Sequence, residues 1–118
     1  MITHESINYL EFPAFDLAAT KAFFSTAFDW TFVDYGPDYT AFTGGGMDGG
    51  FYKSDLRARA ALGSALVVFY SADLAATQAK VEAAGGEILQ AIFEFPGGRR
   101  FHFAEPSGNE FAVWSDQN

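Results

Sequence analysis

The segment Asp16-Leu17-Ala18-Ala19-Thr20 recurs as Asp73-Leu74-Ala75-Ala76-Thr77, an offset of 73 − 16 = 57 residues. The same offset pairs Phe12 with Phe69, Ala22 with Ala79 and Ala27 with Ala84. In each copy an alternating apolar run comes first and a helical pattern follows. A repeat whose hydrophobic frame extends past the identical residues constrains architecture before any local preference does. The chain therefore reads as two copies of one supersecondary unit, each near half of its 118 residues. That length is one ordinary domain with room for a core.

Ile7 to Phe12 alternates and reads as a strand, with Leu10 and Phe12 on one side and Tyr9 and Glu11 on the other. Pro13, which cannot donate to a ladder, is expected to end it. Asp16 is placed to cap a helix over about 17–28, with Leu17, Thr20, Phe24 and Phe28 on one face. Asp29 stands at the left-handed C-cap position, which Asp tolerates better than most residues. Trp30 to Tyr35 and Tyr39 to Thr43 follow as strands across the turn Gly36-Pro37-Asp38. Gly44 to Gly50 reads as a flexible connection. It lacks the Lys, the Ser/Thr spacing and the following helix of a phosphate cradle. A fourth strand begins at Phe51-Tyr52, which closes module one at about residue 53.

Residues 54–64 are polar and small, a linker with room for one helical turn. Module two, about 65–118, repeats the order. Ala65 to Tyr70 is a strand. Asp73 caps a helix with the stripe Leu74, Thr77, Val81 and Ala84, closed by Gly85-Gly86. Glu87 to Phe93, Arg99 to Ala104 and Glu110 to Trp114 are three further strands. Each unit is βαβββ, and the fold class is α+β in a single domain.

With 15 acidic and 7 basic residues the net charge is −8, the wrong sign for binding a phosphate backbone. No nucleic-acid partner is expected. There is no cysteine, which excludes disulfides, thiolate metal sites and cysteine nucleophiles. Met1 to Tyr9 has neither the basic nor the apolar region of a signal peptide, and no apolar run approaches the roughly 18 residues of a membrane span. The expectation is a cytoplasmic protein without a membrane partner. The 14 Phe, 5 Tyr and 2 Trp exceed what core filling needs and suit a ring-lined cavity.

The second module ends in Pro96-Gly97-Gly98, then Phe101-His102-Phe103-Ala104-Glu105-Pro106-Ser107-Gly108-Asn109-Glu110-Phe111. With the Asp-Leu caps, the Phe23-Phe24 pair and the strand that opens on Trp30, this resembles the vicinal oxygen chelate superfamily over the whole chain. That group includes glyoxalases, bleomycin-resistance proteins and extradiol dioxygenases. Glu105-Pro106-Ser107-Gly108-Asn109 is similar to the group's Asp-Pro-(Asp/Ser)-Gly-Asn turn. The resemblance implies paired βαβββ modules, sheets curled into a cup, and a homodimer. It also implies metal ligands at four positions. These map to Tyr9 and Leu66, seven residues before each capping Asp, to Ala112, four residues after Gly108, and close to Phe51. None is His, Glu, Asp or Gln, so no metal and no other cofactor is expected.

Period-2 alternation sets Leu10, Phe12, Val67, Phe69, Phe111 and Val113 against the helices. The other face then carries the candidate ligand-binding set Tyr9, Glu11, Tyr39, Phe51, Leu66, Tyr70, Arg100, His102, Glu110 and Trp114, with Val68 among them. Apolar walls with a few polar groups are the composition of a small-molecule pocket. Tyr9, Glu11, His102 and Trp114 are expected to share one cavity with Arg100 at its rim, and Arg99 to point away, exposed. His102 and Glu11 are the candidates for acid–base catalysis. A lone strand His is more often structural, Glu11 and Glu110 also suit a solvated edge, and Trp114 suits an interface. The favoured function is a metal-free small-molecule-binding protein taking an apolar or aromatic ligand. The alternatives are a lyase or isomerase, metal-dependent or using His102 with a carboxylate, and a dimeric interaction module without a ligand.

Overall fold

Both capping aspartates act as the repeat requires. Asp16 accepts from the Ala19 N–H at 3.0 Å and opens α1 (Leu17–Phe28). Asp73 accepts from the Ala76 N–H at 3.1 Å and opens α2 (Leu74–Ala83). α1 closes on Asp29 at φ 62°, in the left-handed region, with its N–H turned back to the Phe24 and Ser25 carbonyls. Gly85, at φ 100°, releases the chain from α2. The protein is described by a computed structural model over residues 2–117. The outer ends of the two modules, Met1 and Asn118, lie outside the described residues.

Module one contributes β1 (Tyr9–Ala14), β2 (Thr31–Asp34), β3 (Tyr39–Thr43) and β4 (Asp48–Lys53), in the sheet order β1-β4-β3-β2. Module two contributes β5 (Val67–Tyr70), β6 (Glu87–Phe95), β7 (Gly98–Ala104) and β8 (Glu110–Ser115), in the order β5-β8-β7-β6. In each sheet the first and last strands pair in parallel and the rest antiparallel. The class is α+β, with two βαβββ units and a single 3-10 turn, Ala60–Leu62, in the connection between them.

The repeat holds at the level of strand register. Phe12 pairs with Phe51 in module one, and Phe69 pairs with Val113 in module two. The offset of 57 at the first strand has grown to 113 − 51 = 62 at the last. The extra residues sit in the longer β6–β7 hairpin, whose register shifts twice between Ile88 and Phe93.

The core is a stack of rings between the helices and the sheets. Phe24 is wholly buried and lies 4.3 Å from Trp30, 5.6 Å from Phe51 and 5.4 Å from Phe111, centroid to centroid. Phe12 and Phe111, at 5.2 Å, join the two modules directly. Burying each such side chain stabilises the fold by about 1.5–3 kcal/mol.

The turn Glu105–Asn109 supplies a polar junction to this apolar seam. Glu105, 2% exposed, accepts from Thr20 Oγ1 at 2.8 Å, from Asn109 Nδ2 at 3.0 Å and from the Ser107 N–H. Asn109 donates to the Pro13 carbonyl at 2.6 Å and accepts from the Ala58 N–H at 2.8 Å. The Ser107 hydroxyl accepts from the Asp16 N–H at 3.2 Å. One five-residue turn thus ties β1, α1 and the inter-module linker together. Its buried polar atoms are paired, which such atoms require.

Four expectations need correction. Phe51 does not line an open face. It is 0% exposed and stacks at 5.5 Å on Phe12, on the helix side of the sheet. β4 starts at Asp48 instead of Phe51, so Gly49 and Gly50 belong to a strand. Pro13 does not end β1 but lies inside it, tolerated because β1 is an edge strand. Arg99 is half-buried, with an Nε that is buried and without a partner among the described residues.

Candidate functional site

The faces turned away from the helices carry two polar clusters, one on each sheet. On the first sheet, Tyr39 reaches across β4 toward β1. Its hydroxyl donates to Glu11 Oε2 at 2.9 Å and lies 2.6 Å from the Tyr9 hydroxyl, which donates to it. Gly50 makes this crossing possible, since a Cβ there would stand 2.0 Å from the Tyr39 hydroxyl oxygen. Burial, then the hydrogen bonds with Tyr9 and Glu11, push the Tyr39 phenol up, well clear of ionisation at neutral pH.

On the second sheet, Arg100, His102 and Glu110 form a line. Arg100 donates to His102 Nε2 through Nε at 3.1 Å and through Nη2 at 2.8 Å. A guanidinium cannot accept, so Nε2 is the acceptor and Nδ1 carries the proton. Nδ1 then donates to Glu110 Oε2 at 2.8 Å, and Glu110 Oε1 accepts from the Ala60 N–H at 3.0 Å. Burial raises the Glu110 carboxyl, but the bonds from His102 and Ala60 outweigh it and leave the group below its ordinary value. His102 is only 5% exposed. Its basic lone pair is taken up by Arg100, so the imidazole can serve as a base only when Arg100 swings away.

Rings surround this line. Phe93 stacks on His102 at 5.9 Å, and the Arg100 guanidinium lies 5.7 Å from the Phe93 centroid and 5.9 Å from that of Phe95. Trp114 meets Phe95 at 6.3 Å and the edge of Tyr70 at 5.2 Å, and Tyr70 donates to Asp116 at 2.5 Å. Phe93 and Phe95 were absent from the sequence-derived set. Alternation from Glu87 sets both on the open face, while the two register shifts decide which β7 residue each meets and set Phe93 opposite Arg100.

Of the ten candidate residues, Tyr9, Glu11 and Tyr39 are brought together on the first sheet. Tyr70, Arg100, His102, Glu110 and Trp114 share the second. Leu66 lies just before β5, half-buried, and Phe51 is in the core. Tyr9 stands on β1 of the first sheet and His102 on β7 of the second. Within one chain the two open faces are separate patches.

The register also refines the positions where metal ligands would stand. Ala112 pairs with Val68 on β5, and the matching pair on the first sheet is Gly50 with Glu11. The four positions are therefore Tyr9, Gly50, Leu66 and Ala112. The Tyr9 hydroxyl is engaged by Tyr39, the space above Gly50 is filled by the Tyr39 phenol, and Leu66 and Ala112 offer only carbon. This donor set does not fit a divalent metal. Among the described residues no group of three or more His, Asp or Glu side chains is gathered closely enough to hold a metal ion.

The family model described as "Glyoxalase/Bleomycin resistance protein/Dioxygenase superfamily" matches residues 6–113. The chain belongs to that superfamily. A search of the curated proteins gives no match. Among solved structures, this superfamily member is similar to a glyoxalase-related enzyme from Fulvimarina pelagi. The TM-score is 0.78 at 18% identity, covering 94% of this chain and 88% of that one. A lactoylglutathione lyase from Agrobacterium tumefaciens gives 0.72 at 21% identity, covering 94% and 93%. A genomically encoded fosfomycin resistance protein from Listeria monocytogenes, complexed with Mn(II), gives 0.77 at 17% identity, covering 100% and 93%. At these identities the likeness is one of fold.

Proposed function

We propose that this glyoxalase-superfamily chain is a metal-free small-molecule-binding protein, and that its open sheet faces, closed by a second copy of the chain, hold an apolar or aromatic ligand. The observation that carries the reading is the Arg100–His102–Glu110 line. Its polar atoms are fixed by one another and by the Ala60 N–H, and it lies among Phe93, Phe95, Trp114 and Tyr70. Ring walls with a few held polar groups suit a planar molecule bearing one polar substituent. Tyr9, Glu11 and Tyr39 supply the same combination on the other sheet. Leu66, beside β5, adds an apolar contact. Exposure of Tyr9, Val33 and Tyr52 on one open face, and of Val68, Tyr70 and Phe93 on the other, supports cover by a partner copy. No chemical step is assigned to the chain, because His102 is already occupied by Arg100 and Glu11 stands on the other sheet.

Untagged protein analysed by native mass spectrometry, with metal content measured on the same sample, tests this. The expected result is a dimer carrying an organic compound that is lost in the His102→Gln variant, with far less than one metal ion per chain. One Zn, Ni, Fe or Mn per chain, released by substitutions on the open faces, would overturn the metal-free reading. A species of 12.8 kDa that persists at micromolar concentration would overturn the dimer.

A further inference from the structure

At the seam between the modules, away from both polar clusters, a cleft of about 470 Å³ opens between β1, β5, the C-terminal end of α1 and the β3–β4 turn. Its volume falls in the range of small-molecule sites, about 300–1,000 Å³. Of the ten sequence-derived candidates only Tyr70 touches it.

Three features of the cleft point the same way. First, its walls are rings: Phe28, Trp30, Phe42 and Phe69 line it, and Trp30, sandwiched between Phe24 and Phe42 with both centroids 4.3 Å away, presents its edge. Ring edges of this kind favour an aromatic guest, whose face they meet edge-on. Second, Trp30 is 6% exposed and its Nε1 is buried without a partner among the described residues. An indole N–H in that state carries a desolvation cost that an acceptor would remove. This N–H faces the β3–β4 turn, where a Cβ on Gly45 would stand 2.9 Å from Nε1. Gly44, Gly45 and Gly46 have φ values of 135°, 67° and 84°, so the turn is built from residues that move between backbone regions at little cost. Displacing it uncovers the N–H to a guest.

Third, Lys80 stands at the mouth of the cleft with no carboxylate within 4.0 Å among the described residues, only the Phe28 ring at 5.9 Å. Lys21, by contrast, is paired with Asp34 at 2.9 Å, and Lys53 donates to the Phe15 carbonyl. In a chain of net charge −8, an unpaired cation beside a ring-lined cleft is the complement of an anionic guest. The hydroxyls of Ser71 and Thr77, 2.6 Å apart, add a polar rim on the same side.

We propose that this cleft is a second binding site, separate from the two polar clusters, for a planar aromatic anion of one or two rings. The rings meet the edge of Trp30 and lie beside Phe28, and the carboxylate or equivalent anion meets Lys80. A ring-borne oxygen or nitrogen accepts from Trp30 Nε1 once the glycine turn shifts.

The probes are 1-naphthoate and the neutral naphthalene-1-methanol, titrated into the full chain. The readout is the pair of tryptophan indole N–H cross-peaks in a proton–nitrogen correlation spectrum. Trp30 and Trp114 are the two tryptophans, so the Trp114→Phe variant assigns both peaks. The expected result is a saturable shift of the Trp30 peak with naphthoate. Lys80→Gln, a change at an exposed residue, should weaken naphthoate about tenfold while leaving the alcohol within about twofold. Arg100→Gln should change neither. An unmoved Trp30 peak at about 1 mM naphthoate, a level at which even weak ligands register, would overturn the proposal. So would an affinity indifferent to Lys80. A shift confined to the Trp114 peak and abolished by Arg100→Gln would overturn the second site while supporting a ligand on the open face.

Discussion

Glu105 is the residue whose replacement reports most directly on how the two modules are joined. Its carboxylate accepts from the Ser107 N–H, the Thr20 hydroxyl and the Asn109 amide, at a site 2% exposed. In Glu105→Gln the retained oxygen can still serve Ser107 and Thr20, but the new amide faces Asn109 Nδ2, donor against donor. Asn109 cannot flip to relieve this. Its oxygen is committed to the Ala58 N–H and its nitrogen to the Pro13 carbonyl. Leaving one buried donor unpaired costs about 1–3 kcal/mol. Burial, opposed in part by the Ser107, Thr20 and Asn109 bonds, raises the Glu105 carboxyl above its ordinary 4.5. A raised carboxyl in the fold means that the folded state holds the proton more tightly than the unfolded chain. The stability it contributes is fully present below pH 4.5 and is lost as pH rises through the raised value. Glutamine does not titrate. The stability of the natural chain minus that of Glu105→Gln should therefore be largest in acid and should shrink as pH rises. Urea unfolding of both chains at a series of pH values measures it, and taking the difference cancels the other carboxylates. A difference that grows with pH would refute the burial argument, and no difference at any pH would refute the junction itself.

Three further outcomes follow from the same geometry. Glu110 sits below its ordinary value, so its contribution is present above pH 4.5 and lost as pH falls through the folded value; Glu110→Gln should cost about 1.5–3 kcal/mol at pH 7 in urea unfolding and less in acid. Phe111→Ala empties a site shared by Phe12, Phe24, Phe69 and Phe103 and should cost about 3–5 kcal/mol, whereas Tyr9→Phe on the open face should stay within about 0.5 kcal/mol; equal losses in chemical denaturation would contradict the face assignment. Gly49→Ala puts a Cβ 2.2 Å from the Leu10 carbonyl oxygen and 2.4 Å from the Phe42 ring and should cost about 1–3 kcal/mol by overpacking, read as a lowered thermal midpoint; an unchanged midpoint would show that β4 does not lie where the register puts it.

What the sequence disclosed was mostly what lies close along the chain. The bounds of α1, its Asp16 cap and the left-handed Asp29 are local matters, and each was legible from a few neighbouring residues. The faces of β1, β5, β7 and β8 followed from alternation because those strands keep their register at the residues concerned. β4 escaped for a physical reason. Gly49 and Gly50 have no side chains with which to show a period, and what makes them strand is parallel pairing with β1, about forty residues away along the chain. Phe51 was misplaced with them. The faces of Phe93 and Phe95 were legible by alternation from Glu87, but the register shifts in β6 hid which β7 residues they meet, and the Trp30 cleft was hidden by its position between modules, where no periodicity reports. The two clusters were assigned to the right faces but anticipated as one pocket, because alternation says which way a side chain points and nothing of which sheet it will meet.

The turn Glu105–Asn109 also bears on the order in which the chain can be completed. Thr20 waits for a partner 85 residues downstream, and the Pro13 carbonyl for one 96 residues downstream. During synthesis, every residue of module one's sheet and helix is present once residue 53 has emerged. The carbonyl of Pro13 and the first turn of α1 nevertheless stay unclaimed until the last hairpin arrives. Contacts of such range close late and slowly. A chain arrested before Glu105 therefore lacks Phe111 from the ring seam and leaves Thr20 and the Pro13 carbonyl without these partners.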